Sequence, residues 1–179
     1  SSAFGKLTEI FQQVQGAFVQ LFVRVDAVME DENMPVDDFE IVEKGISAEV
    51  MSLEEAQQIT SFDIKVPNYM PEGFQLDSVI VIKKDNQKSE QIYLQYQRGV
   101  DLVEIEQKVI NISTGTAIIS DYDDTVGDKI MINNHLANYI TYKNGTAELI
   151  WVIDDLYYYE IRGNLSREEI ISIAESMLY

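Results

Sequence analysis

The 179-residue chain has no cysteine, one histidine, three prolines, and only 13 Lys and Arg residues against 31 Asp and Glu. Each shortage excludes something. Without Cys there are no disulfides and no thiolate metal sites. A single His, His135, removes zinc sites built from several His and leaves triad chemistry one candidate base. A formal net charge of −18 argues against nucleic acid and anionic membrane surfaces, which attract the opposite sign. Long apolar runs are missing too. The most apolar stretch, Ala17 to Val25, is interrupted by Gln20 and Arg24 and falls far short of the roughly 20 residues a spanning helix needs. No catalytic signature occurs. We expect a non-enzymatic protein with no catalytic, cofactor-binding or metal-ligating residues and no cofactor.

What is present is globular in composition, with 46% apolar and 25% charged residues, enough to bury the core of one domain. The chain opens on Ser1-Ser2-Ala3 rather than Met, which reads as a piece of a longer protein. The lack of Cys fits a bacterial protein made without disulfides.

Phe4, Leu7, Ile10, Phe11 and Val14 recur at helical spacing, so residues 4–14 predict an amphipathic helix. Phe18 to Val25 is rich in β-branched and aromatic residues and predicts a strand, with a continued helix as the alternative. Residues 26–55 then carry eleven Asp and Glu against one Lys. With no sustained apolar period, residues 26–51 read as a solvated acidic linker. Order resumes at Ser52-Leu53-Glu54-Glu55, a capping box that starts a short helix. Phe62 to Pro67 alternates until the proline stops it, and Pro71-Glu72-Gly73 supplies a turn.

From Phe74 the period is two. Phe74, Leu76, Ile80 and Ile82 share a face, Asp85 to Lys88 turns, Ile92, Leu94 and Tyr96 alternate, and Arg98-Gly99 turns into Val100 to Ile110. Ala117-Ile118-Ile119 suggests a short strand, and Asp121 to Asp128 a loop. Asn133-Asn134, Lys143-Asn144-Gly145 and Asp154-Asp155 turn between further strands. Ser166-Arg167-Glu168-Glu169 is a second capping box, opening a helix with Ile170, Ile173, Ala174 and Met177 on its buried stripe. The expected fold is α+β: a twisted antiparallel sheet of about six to eight strands, with the C-terminal helix and the N-terminal helical segment packed against it. Its inner face is expected to hold Phe74, Leu76, Ile80, Ile92, Leu94, Ile140, Leu149, Trp151 and Ile173.

The block Ser52-Leu53-Glu54-Glu55-Ala56, then Phe62-x-Ile64-x-Val66-Pro67-x-Tyr69-Met70-Pro71-x-Gly73-Phe74, carries a resemblance. So do Trp151, Tyr158-x-Glu160-Ile161-Arg162-Gly163-x-Leu165-Ser166 and Ile173-Ala174-Glu175-Ser176. Across residues 52–178 the chain resembles a domain-of-unknown-function family of spore-forming Gram-positive bacteria. Members form the extracytoplasmic C-terminal region of single-span membrane proteins, some with anti-sigma-factor-like or sporulation-related N-terminal regions. Residues 1–25 resemble the juxtamembrane stretch more loosely. The family has no assigned catalytic residues, so the resemblance transfers none.

The remaining candidates read structurally. His135, after the Asn133-Asn134 turn, is expected as a surface or hydrogen-bonded side chain. Asp121, Asp123, Asp124 and Asp128 offer oxygen ligands but lack the calcium-loop spacing, so they read as a solvated loop. Tyr157-Tyr158-Tyr159 puts rings on both faces of a strand, expected as cross-strand packing. Sequons at Asn111, Asn144 and Asn164 mean nothing in a bacterium.

The organisation expected is a juxtamembrane helix/strand segment at 1–25, an acidic linker at 26–51 and an α+β domain at 52–179. The function expected is a non-enzymatic sensing, regulatory or protein-interaction domain on the extracytoplasmic face of the membrane. It belongs to a membrane-anchored parent, binds a protein partner or itself, and does not bind nucleic acid. The alternative is a carrier holding an apolar or lipid-like ligand between sheet and helices.

Overall fold

Alternating apolar residues, separated by short turns rich in Asn, Asp and Gly, build a sheet because each turn returns the chain beside the strand it has just left. The computed structural model describes residues 46–84, 86–110 and 125–177, and the backbone alone at 6–14, 17–25, 125 and 126. Two units separate by their contacts, Ser1–Ala48 and Glu49–Tyr179.

In the first unit, β1 (Lys6–Val14) and β2 (Ala17–Val25) pair antiparallel, from Lys6 opposite Val25 to Val14 opposite Ala17. Within the helix expected over residues 4–14, Lys6–Val14 is instead a strand, while the strand expected from Phe18 to Val25 is present. An eleven-residue helix is marginal on its own. A neighbouring segment rich in Val offers a ladder that satisfies the same backbone groups.

Farther along, β3 (Ile46–Met51) leads into α1 (Leu53–Ile59). The end of the stretch read as linker is thus a strand, and residues 26–45 lie outside the described residues. Then follow β4 (Gln75–Lys84), β5 (Gln91–Arg98), β6 (Asp101–Val109), β7 (Thr125–Ile132), β8 (His135–Tyr142), β9 (Ala147–Ile153), β10 (Tyr157–Gly163) and α2 (Arg167–Ser176). One open eight-stranded sheet runs β3-β4-β5-β6-β10-β9-β8-β7. Two meanders, β4 to β6 and β7 to β10, join where β6 pairs antiparallel with β10. The tight turns are specific: Asn133 and Asn134 take φ of 45° and 67°, and Asp154 and Asp155 take 54° and 53°. These left-handed values suit residues whose short polar side chains tolerate them. The strand suggested at Ala117-Ile118-Ile119 and the residues Asp121, Asp123 and Asp124 lie outside the described residues.

Both capping boxes form. Ser52 Oγ accepts from the Glu55 N–H and Ser166 Oγ from the Glu169 N–H, each at 3.2 Å, and each Glu accepts in return from the cap N–H. Ile170, Ile173 and Ala174 of α2, with Met177 at its C-cap, join one buried cluster with Val79, Val81, Ile92, Leu94, Ile105, Leu149, Trp151 and Ile161. That cluster fills the space between the helices and the sheet. Trp151 stacks on Tyr159, with ring centroids 5.3 Å apart.

The expected inner face needs three corrections. A bulge between Leu76 and Ser78 shifts the register of β4, so Val79 and Val81 face the helices while Ile80 turns to the other side. Leu76 is left 38% exposed. Ile140 also lies on the other side, clustered with Ile150 and Tyr158. The Asn133-Asn134 turn pairs Ile132 with His135 and Ala137 with Ile130, which commits the odd-numbered residues of β8 to the helix side. Phe74, Ile92, Leu94, Leu149, Trp151 and Ile173 lie in the main cluster as expected.

Candidate functional site

Strand pairing gathers polar side chains on the face turned away from the helices. Tyr93, Glu106 and Glu160 stand in one row across β5, β6 and β10, and Gln91, Lys108 and Tyr158 in the next. On the other flank Gln95, Glu104, Arg162 and Glu148 continue across β9. Most of these positions are buried, while Glu104, Lys108 and Glu160 are half-buried and Arg162 is exposed. Gln95 is fully buried, and Glu148 and Glu106 are 5% and 9% exposed. Carboxylates are costly to bury unless they are paired and hydrogen-bonded.

The pairing is extensive. Gln91 Nε2 donates to Tyr93 Oη and to Glu106 Oε1, both at 2.7 Å. Lys108 Nζ meets Glu106 Oε1 at 2.9 Å and lies 4.1 Å from the centre of the Tyr158 ring. Tyr158 Oη donates to Glu160 Oε2 at 2.5 Å, and Tyr142 Oη to Glu148 Oε2 at 2.8 Å. Gln95 Nε2 donates to Glu104 Oε2 at 2.8 Å and accepts at Oε1 from Ser78 Oγ at 2.9 Å. Four carboxyl groups thus share two cations, Lys108 and Arg162. Glu104 and Glu148 flank Arg162 as its direct cross-strand partners, whereas Glu106 and Glu160 stand opposite each other. Like charges so placed repel.

The electrostatic consequence falls on Glu160. Burial first, then Glu106 and Glu148, push its carboxyl up to about 8, although the Tyr158 hydroxyl and Lys108 favour the charged form. Burial also raises Glu104 and Glu148, with Arg162 opposing in both cases. Tyr93 and Tyr158 are pushed well above the ordinary phenol value by burial and the nearby glutamates. Burial and the neighbouring carboxylates thus favour the protonated form of Glu160.

Residues singled out in the sequence lie elsewhere, with one exception. His135 begins β8 opposite Ile132, on the helix side. Asp128 is in β7 rather than a loop, and its Oδ2 accepts from Arg167 at 2.6 Å. Among the described residues no group of three or more His, Asp or Glu is placed to hold a metal ion. Asn144 Oδ1 accepts from the Thr146 N–H at 2.9 Å, a turn role, and Asn111 is outside the described residues. Tyr157-Tyr158-Tyr159 does split between faces: Tyr159 enters the main cluster and Tyr158 the polar layer. Sequence reading missed the layer itself. Its Gln and Glu residues alternate with apolar ones in β5 and β6, a pattern ordinarily produced by a wet outer face.

No helix among the described residues is long and apolar enough to cross a membrane. The chain is similar to Uncharacterized protein MJ0687 of Methanocaldococcus jannaschii, 27% identical over 156 residues that cover 81% of this chain. It spans 41% of the length of that archaeal protein. No solved structure matches. The model of a family described as Domain of unknown function (DUF4367) matches residues 64–177, within the stretch on which the resemblance rests and including β4 to β10 and α2, and the chain belongs to that family.

Proposed function

We propose that this chain is a non-enzymatic sensing and regulatory domain on the extracytoplasmic side of a membrane, forming part of a longer, membrane-anchored protein. One observation carries the reading: the polar layer joins its titratable groups to one another, as in the hydrogen bonds from Tyr158 to Glu160 and from Gln91 to Glu106. Groups so arranged hold charge and respond to their surroundings. The resemblance to extracytoplasmic C-terminal domains of Gram-positive single-span proteins, some anti-sigma-factor-like or sporulation-related, supports the placement. A protein partner or a second copy is the natural recipient of the signal.

The carrier alternative places an apolar ligand between sheet and helices, where Leu94, Ile105, Leu149, Trp151, Ile161 and Ile173 now fill the space. Native mass spectrometry of the purified protein separates the two readings. A bare mass is expected, and a co-purified lipid in stoichiometric amount overturns the proposal. Protease accessibility of the full-length protein in intact cells tests the placement, with cleavage from outside the membrane expected.

A further inference from the structure

On the helix side, a groove of about 240 Å³ opens between the segment Phe62 to Lys65 and the β9–β10 turn. Both walls are held. Gln107, 1% exposed, accepts from the Lys65 N–H at 2.8 Å and donates to the Lys65 carbonyl at 2.7 Å. Gln57 does the same one step earlier, accepting from the Ile64 N–H at 2.8 Å and donating to the Phe62 carbonyl at 2.9 Å. Opposite, the Asp154-Asp155 turn is closed by the Leu156 N–H donating to the Ile153 carbonyl at 3.1 Å. Phe62, Tyr157 and Tyr159 line the groove, and Tyr159 is backed by Trp151. Asp63, Lys65 and Asp154 line it too, and among the described residues none of the three makes an ion pair.

We propose that this groove binds a free α-amino acid with an apolar side chain. Its ammonium group meets the Asp63 and Asp154 carboxylates, its carboxylate meets the Lys65 ammonium, and its side chain lies against Phe62, Tyr157 and Tyr159. Charges of both signs beside an aromatic wall match a zwitterion with an apolar arm. A purely cationic ligand leaves Lys65 opposed, and a purely anionic one leaves two aspartates opposed. Fixed walls reduce the ordering cost of binding, while solvent-exposed ion pairs are individually weak. A dissociation constant of about 0.1–1 mM follows. The proposal is independent of the polar layer, so its failure leaves the sensing reading to its own test.

Trp151 is the only Trp in the chain and backs the groove, so its fluorescence reports occupancy by non-fluorescent probes. L-leucine, leucinamide and N-acetyl-L-leucine are titrated into the full chain, with amide chemical shifts of residues 62–65 and 153–159 as a second readout. Leucine is expected to saturate, and each analogue, lacking one charge, to bind at least about tenfold more weakly. Lys65→Met, or Lys65→Gln if the first variant melts early, should erase the preference for leucine over leucinamide. Asp63→Asn with Asp154→Asn should erase the preference over N-acetyl-leucine. No saturable change in either readout up to about 10 mM leucine, equal binding of the three probes, or preferences unmoved by the variants overturns the proposal.

Discussion

Replacing Glu160 by Gln removes one ionisable group from the centre of the polar layer while keeping an oxygen for the Tyr158 hydroxyl, which donates to Glu160 at 2.5 Å. The folded carboxyl titrates near 8 instead of the ordinary 4.5, chiefly because it is buried and faces Glu106. Between those values the folded state keeps a proton that the unfolded chain has released. The stabilisation linked to that proton is complete below the unfolded value and is lost as the pH rises through the folded one. At about 1.4 kcal/mol per pH unit, the interval sets a ceiling of about 5 kcal/mol. Partial solvent access and relaxation reduce the expectation to about 2–3 kcal/mol. Glu160→Gln should therefore lose ground to the wild type on acidification and gain it towards alkaline pH. Urea unfolding at constant ionic strength, followed by Trp151 fluorescence at several values from about pH 5 to 9, measures both curves. Parallel curves, separated by the same free energy to within about 0.5 kcal/mol at every pH, would refute the reasoning.

Gln107→Ala removes both hydrogen bonds to Lys65 and leaves the segment's peptide groups without them, which should cost about 2 kcal/mol in chemical denaturation. Trp151→Phe should cost less than about 1.5 kcal/mol by circular-dichroism melting, because Trp151 Nε1 is buried with no hydrogen-bond partner among the described residues and only ring volume is lost. A chain of residues 46–179 keeps all of β3 and the main buried cluster, so it should unfold in one cooperative transition. A chain starting at Met51 loses most of that strand and should melt earlier.

The legible parts of the fold were those whose signal is local. Ser52 with Glu55 and Ser166 with Glu169 announce helix starts because the two side chains and two N–H groups involved lie within one turn. Asn133-Asn134 and Asp154-Asp155 announce hairpins because so few residues accept positive φ. Where a distant partner decides, sequence pattern misleads. Residues 4–14 show helical spacing, but the ladder with β2 sets the conformation of Lys6–Val14. Period two read straight through β4 puts Leu76 with Ile80, whereas one bulged residue moves the alternation to Val79 and Val81. The candidate site was illegible for a related reason. Gln91, Gln95, Glu104 and Glu106 look like a solvated strand face, and only the pairing of β6 with β10, about fifty residues apart, reveals that they meet Glu160 and Arg162 in one largely buried layer, with Arg162 at its exposed edge.

That pairing also gives the layer leverage on the fold. β6 and β10 are the strands through which the two meanders join, and Glu106 stands opposite Glu160 near the middle of their ladder. Lys108 compensates part of the charge from β6, since it pairs with Glu106 at 2.9 Å. When Glu160 ionises, repulsion is added across the junction rather than within either meander, whose hairpins are held by their own turns. The loss of stability at alkaline pH should therefore be uneven. Amide-exchange protection at Ile105, Glu106, Glu160 and Ile161 should fall as the pH rises towards about 8 and level off above it, before protection falls in the β4–β5 or β7–β8 hairpins. In Glu160→Gln that order should disappear. Equal losses in all strands, or a junction that stays protected while the hairpins open, would place the titration somewhere other than this pair and break the link between the polar layer and the sheet.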